Sequence, residues 1–251
     1  MPVKHDGSVD RWSRYRRRYE SGEWRAVVFR DMILDDAREL GNGGKDLTFL
    51  DIGCGDGFDA DKRLQESLAK AAGRYIGVEP DTGVKVGGIF DVVHPTFFED
   101  APIEEESIDL AFAVMVMEHF ENPGRFFDKL HGILRPGGVF WGFTVDIRHW
   151  FALGSLVTEK LGVKDWYLDR LHGGKGGGRY ENYPVHYRAN TPAGIRKLAG
   201  RFSRAEVINF SKVGQLDFYF PKSLRWAGRA LDRAAMSLGL PGSILAVRLA
   251  K

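Results

Sequence analysis

The chain carries one cysteine, Cys54, in 251 residues, which excludes an internal disulfide and points to a reducing cytoplasm as its home. It also lacks charge of one sign. Thirty-six Lys and Arg against thirty-four Asp and Glu leave a formal +2, too little for a general electrostatic grip on nucleic acid. Long apolar runs are missing as well: the longest, Leu110 to Met117, is far too short to cross a bilayer. The basic N-terminal stretch is followed by no apolar core of the kind a secretory leader needs. What remains, 43% hydrophobic and 28% charged residues, is the balance of an ordinary globular protein.

The most informative stretch present is FLDIGCGDG, Phe49 to Gly57. Phe49, Leu50 and Ile52 read as a short buried strand, and Gly53, Gly55 and Gly57 follow where a sharp turn must open a helix. Glycines there keep Cβ atoms away from a ligand and let backbone N–H groups and the positive helix end approach a polar cofactor group. The spacing is G-x-G-x-G, not the longer dinucleotide fingerprint, and Asp51 stands two residues ahead of the first glycine. An acid there repels a pyrophosphate but suits the ammonium of an amino-acid moiety, which favours S-adenosylmethionine over NAD. A helical stretch with Leu64, Leu68 and Ala71 closes at Gly73, and a second strand, Tyr75 to Val78, ends on Glu79. A carboxylate at that position accepts both hydroxyls of a ribose, a property that NAD and S-adenosylmethionine sites share.

LDIGCGDG, IGVEPD, SIDLAFAVMVMEHF and LRPGG, in this order between Leu47 and Thr144, resemble the motifs of class I S-adenosylmethionine-dependent methyltransferases. The resemblance implies an α/β fold: a Rossmann-like, seven-stranded, mostly parallel sheet with an antiparallel last strand and helices on both faces, plus an inserted cap or lid. It implies cofactor contacts from Asp51, Gly53, Cys54, Gly55, Gly57, Glu79 and Pro80, and backbone contacts from Met115 at the tip of the fourth strand. The segment HPTFFED, where the family reads adenine, does not assign that residue. Ubiquinone-biosynthesis O-methyltransferases show E-x-x-E-H after the fourth strand. Here Met115 replaces the first glutamate, so no metal is expected, although Glu118 and His119 are two possible ligands.

Residues 1–44 read as an N-terminal helical cap, with one helix from Asp10 to Leu40 stopped by Gly41 to Gly44. Trp12, Tyr15 and Tyr19 on it either shield the cofactor's sulfonium or pack the helix on the core. Residues 45–251 form the methyltransferase domain, with strands at Asp91–Phe98, Ile108–Val114, Val139–Val145, Ala205–Phe210 and Ser243–Leu249. Asn122-Pro123 and Thr191-Pro192 cap helices. An insertion over about 146–190 carries Trp150, Phe151, Trp166, Tyr167 and the loop HGGKGGGRY, read as a substrate-selecting lid. Lys175 and Arg179 beside those glycines admit a phosphate loop as the sharper alternative. Between the last two strands, Leu224, Ala227, Leu231, Ala234 and Leu238 form an apolar stripe, with Arg225, Arg229 and Arg233 across from it. The stripe is expected to pack on the core; peripheral contact with an anionic membrane is the other reading.

Methyl transfer from a sulfonium is an in-line displacement, so holding the acceptor on the far side of the methyl supplies most of the rate. For a hydroxyl acceptor a base adds to it, and histidine is the side chain best tuned for that task. His119 is the first candidate, His149, His186 and Asp146 follow it together, and His172 stands behind them. The expected function is methyl transfer to a small molecule or glycan intermediate, at oxygen. The alternatives are a S-adenosylmethionine-binding protein without catalysis and an NAD-linked oxidoreductase, the latter disfavoured by Asp51, the glycine spacing and the lack of a Tyr-x-x-x-Lys pair.

Overall fold

A computed structural model describes residues 11–41, 46–152, 154 and 184–251. The described residues build one seven-stranded sheet in the order β3-β2-β1-β4-β5-β7-β6. Its strands are β1 Thr48–Ile52, β2 Arg74–Val78, β3 Val92–His94, β4 Ile108–Val114, β5 Leu134–Val145, β6 Arg204–Phe210 and β7 Ile244–Ala250. Every neighbouring pair from β3 to β5 is parallel, whereas β7 is antiparallel to both β5 and β6. This is the Rossmann-like sheet with an antiparallel last strand that the sequence implies.

Alternation along the central strands divides the core into two layers, as the two-residue period of a strand demands. Phe49, Leu110, Phe112, Trp141 and Phe143 face one layer, with α1 (Ser13–Glu20) and α2 (Arg25–Leu40) packed against them. Leu50, Ala111, Ala113 and Phe140 face the other, against α4 (Pro123–Ile133) and α5 (Pro192–Leu198). Between β1 and β2 runs α3, Lys62–Ala71, whose Asp61 side chain caps the Arg63 and Leu64 N–H groups. Asn122 and Thr191 cap α4 and α5 as the sequence predicts, each with proline in the first turn.

Two expectations are corrected. The N-terminal helix is two helices, because the chain turns at Ser21–Trp24 through Gly22, whose φ of +107° lies outside the helical region. The connection between β6 and β7 does carry a helix, α6 (Arg225–Ser237), but it is Gly228, Asp232 and Ala235 that it buries. Leu224, Leu231 and Leu238 of the apolar stripe are exposed. Asp232 decides the orientation, since its carboxylate takes hydrogen bonds from Trp150 Nε1 at 3.1 Å and the Gly214 N–H at 2.8 Å.

Trp12, Tyr15 and Tyr19 are buried packing residues. Trp12 meets Trp141 edge-on at 5.2 Å and donates to Glu206, and Tyr19 lies edge-on to Phe210 at 5.7 Å with its hydroxyl on Gln215.

Candidate active site

The site lies at the C-terminal edge of the parallel strands, where β1 and β4 part company with their loops. β1 delivers Asp51, and the turn after it runs Gly53 at φ +71°, Gly55 at +43° and Gly57 at +126°. All three conformations are ones that side-chain-bearing residues rarely adopt. At Gly53 a Cβ would stand 2.5 Å from Val116 Cγ2, and at Gly57 one would stand 2.9 Å from the Asp61 and Lys62 backbone. Those two glycines are required by the protein's own packing. Gly55 differs: a Cβ there would meet nothing nearer than Glu79 Oε2 at 3.8 Å.

β2 ends where Val78 O receives the Gly53 and Cys54 N–H groups at 2.8 and 3.1 Å. Glu79 follows, buried, with Oε2 accepting from the Gly55 N–H at 2.9 Å and Oε1 from the Asp81 N–H at 3.0 Å. One carboxylate therefore fixes both loops, and each oxygen keeps a further lone pair. Pro80 follows directly on Glu79. Cys54 is buried, and burial pushes its thiol pKa up, so it packs as a small apolar residue and is no nucleophile.

Asp51 is buried with both hydrogen bonds on Oδ2, from Tyr75 OH at 2.7 Å and Gln65 Nε2 at 3.1 Å. Burial raises its pKa to about 6 against the opposing pull of those two donors. Among the described residues, Oδ1 takes no hydrogen bond. Tyr75 and Gln65 carry no local sequence signal of this role, since they reach Asp51 from β2 and α3 only when the sheet forms. A second long-range clamp is Arg25 at the start of α2, which pairs with both carboxylate oxygens of Asp59 at 2.6 and 2.7 Å. It holds a turn in which Asp59 and Ala60 both have positive φ, 50° and 66°.

At the tip of β4 Met115 is left-handed, φ +55°, with its N–H on Phe143 O at 2.7 Å. Glu118 behind it is buried, accepts from Thr144 Oγ1 at 2.8 Å, and has its carboxyl pKa raised by burial. Thr144 in turn accepts from Asn190 Nδ2 at 2.7 Å. The Glu118 carbonyl receives the His186 and Tyr187 N–H groups at 2.8 and 3.1 Å. Residues 184–190 are thus stitched across the ends of β4 and β5.

The candidate histidines separate on this geometry. His119 Nδ1 lies 3.0 Å from Pro184 O; a carbonyl only accepts, so Nδ1 carries the proton and the neutral ring has its lone pair on Nε2. His149 is buried with its pKa lowered by that burial, and its Nδ1 accepts from the Phe151 N–H at 3.3 Å, so its lone pair is occupied. His186 has an exposed side chain beside His119's segment. Asp146 is fully buried and tied to Arg148 and Asn209, which suits it to holding the turn after β5. His172, Trp166, Tyr167, Lys175, Arg179 and the glycine loop lie outside the described residues. Among the described residues no group of three or more His, Cys, Asp or Glu side chains gathers in a metal-binding arrangement.

Residues 50–142 match the family described as a methyltransferase domain. A ubiquinone biosynthesis O-methyltransferase of Methylobacterium sp. (strain 4-46) is 30% identical over 135 residues, covering 48% of this chain and 52% of that protein. An uncharacterized methyltransferase of Mycobacterium avium (strain 104) is 28% identical over 167 residues, 63% of this chain and 60% of its own. The chain spans about half the length of the ubiquinone-biosynthesis relatives it matches, 52% and 44%. Among solved structures, geranyl diphosphate C-methyltransferase from Streptomyces coelicolor A3(2) has a TM-score of 0.55 at 14% identity, covering 89% of this chain and 76% of that one. A SAM-dependent methyltransferase from Archaeoglobus fulgidus gives 0.52 at 15% identity, with 88% and 94% covered. The motif order and the match over residues 50–142 agree: this stretch of the chain is similar to the methyltransferase domain, and the sheet has the fold of the solved S-adenosylmethionine-dependent methyltransferases it resembles.

Proposed function

We propose that this protein transfers a methyl group from S-adenosylmethionine to an oxygen of a small acceptor, a metabolite or a glycan intermediate. The observation that carries the reading is the pairing of the left-handed Gly53–Gly57 turn with Glu79. Gly55 leaves a cradle that a Cβ would fill without touching the protein closer than 3.8 Å, so beyond its left-handed backbone no packing contact requires the missing side chain, and the space it leaves suits a ligand. The cofactor, when bound, supplies the electrophilic methyl. Glu79 offers one further lone pair per oxygen to a ribose diol, and Asp51 Oδ1 offers a carboxylate oxygen to an ammonium, as Tyr75 and Gln65 hold Oδ2 in place. Gly53, Gly57, Cys54, Pro80 and the Met115 backbone shape the walls of that cleft.

His119 takes the acceptor proton through Nε2 in this reading. Its Nδ1 contact with Pro184 O fixes the tautomer that makes Nε2 a base. His149 is disfavoured because its Nδ1 lone pair already receives the Phe151 N–H; His186, whose N–H meets the carbonyl of Glu118 next to His119, lines the same rim. Oxygen as the methylated atom is supported by the likeness to proteins named ubiquinone biosynthesis O-methyltransferase. The test is incubation with methyl-labelled S-adenosylmethionine and a panel of phenols, catechols and sugar alcohols. Label in an ether product supports the reading. Cofactor binding with no transfer to any oxygen, nitrogen or carbon acceptor would favour a binding protein without catalysis.

A further inference from the structure

The outward face of α6 bears the marks of a surface that meets lipid. Its inward side is narrow, Gly228, Asp232 and Ala235, recurring at helical spacing. Around the rest of the helix Trp226 is 70% exposed, Leu231 51% and Leu238 74%. Ala230 and Ala234 fill the surface between them, and Leu240 just beyond is 51% exposed. Globular proteins seldom leave a tryptophan and several leucines together in water along one helix.

Charge selects the occupant. Arg229 and Arg233 flank the apolar arc, and Lys222 stands one turn ahead of the helix, all with exposed side chains. The single acid within α6, Asp232, is turned inward onto Trp150 and Gly214. Arg229 leans on Asp217 at 2.5 Å, whereas Lys222 and Arg233 form no ion pair with any described residue. An apolar arc carrying tryptophan and leucine, bordered by cations and free of outward acids, is the pattern of a helix lying in the headgroup region of an anionic bilayer. We infer that α6 docks this protein on an anionic lipid surface. The buried side of the same helix holds Trp150, a few residues beyond the end of β5, which ties α6 to the chain that follows the fifth strand. Among the described residues no helix is long and apolar enough to cross a membrane, so the contact is peripheral.

The experiment is flotation of the full chain with vesicles of phosphatidylcholine alone or mixed with phosphatidylglycerol; it needs neither cofactor nor acceptor and stands apart from the methyl-transfer assay. The protein floats with the anionic vesicles and is largely released by high salt. Trp226→Ser with Leu238→Ser lowers its partition by about tenfold or more, as expected for two apolar side chains withdrawn from the interface. Lys222→Glu with Arg233→Glu removes the preference for phosphatidylglycerol. All four positions are exposed, and an unchanged circular dichroism spectrum verifies the fold of each variant. Absence of flotation, or flotation that neither pair of substitutions reduces, overturns the inference. A dimer that Trp226→Ser with Leu238→Ser dissociates, in a protein that binds no vesicles, assigns the face to a second copy and overturns it equally.

Discussion

Exchanging Gly53 and Gly55, one at a time, for alanine separates what the fold needs from what the ligand needs. Both positions are left-handed, at φ +71° and +43°, and a side-chain-bearing residue there costs about 1–2 kcal/mol. Gly53→Ala carries a second penalty, since the new Cβ falls 2.5 Å from Val116 Cγ2, an overlap of the overpacking kind worth about 1–3 kcal/mol. Gly55→Ala has no such neighbour, with 3.8 Å to Glu79 Oε2. Urea unfolding should therefore show a loss of about 2–5 kcal/mol for Gly53→Ala and only about 1–2 for Gly55→Ala. Adding Val116→Ala should restore about 1–3 kcal/mol to the first and nothing to the second, the signature of two groups in direct contact. Titration with S-adenosylhomocysteine should run the other way: the well-folded Gly55→Ala protein loses affinity. Equal destabilisation by the two glycine changes, additivity with Val116→Ala, or full affinity in Gly55→Ala would refute the reasoning.

Three further outcomes are expected. Asp51 has its pKa raised from about 3.9 unfolded to about 6 folded. The folded state thus binds the proton more tightly, and stability falls as pH rises from about 4 to 6, by about 3 kcal/mol at most. The burial-lowered His149 pulls the opposite way, losing stability as pH falls through the unfolded histidine pKa. Subtracting the profile of Asp51→Asn isolates the carboxyl, and an identical profile in that variant contradicts the assignment; in wild type, S-adenosylhomocysteine affinity should weaken below pH 6 as the ammonium partner is neutralised. Glu79→Gln should weaken S-adenosylhomocysteine by about 1–3 kcal/mol, the range for losing charge-assisted hydrogen bonds, and calorimetry giving the wild-type dissociation constant would put the ribose elsewhere. His119→Ala should lower kcat by about 10²- to 10⁴-fold with cofactor affinity unchanged, whereas a fall seen only in KM would make it a binding residue.

Much of the sheet was readable in the residues because its signals are local. Apolar strands bounded by glycine, the caps at Asn122 and Thr191, and the alternation of Phe49 with Leu50 all depend on neighbours a few positions away. The glycine turn after β1 was readable for the same reason. What escaped was everything that closes across the sheet: the hold of Tyr75 and Gln65 on Asp51, of Arg25 on Asp59, and of Asn190 on Thr144 and, through it, Glu118. The orientation of α6 escaped too, because periodicity locates an apolar stripe but cannot say which face is covered. There a single buried acid, Asp232, outweighs three leucines, since a carboxylate with two donors waiting is held inward while leucines tolerate water at modest cost. The break at Gly22 was hidden by an unbroken helical pattern on either side of it.

The central claim is that the cleft built by Asp51, Gly55 and Glu79 accepts S-adenosylmethionine and no dinucleotide. Calorimetric titration of the purified protein with S-adenosylhomocysteine, with NAD as the control, tests it without any knowledge of the acceptor. Saturable binding of S-adenosylhomocysteine alone, abolished in Gly55→Ala and weakened in Glu79→Gln, is the predicted result. Binding of NAD, or of neither, would contradict the account.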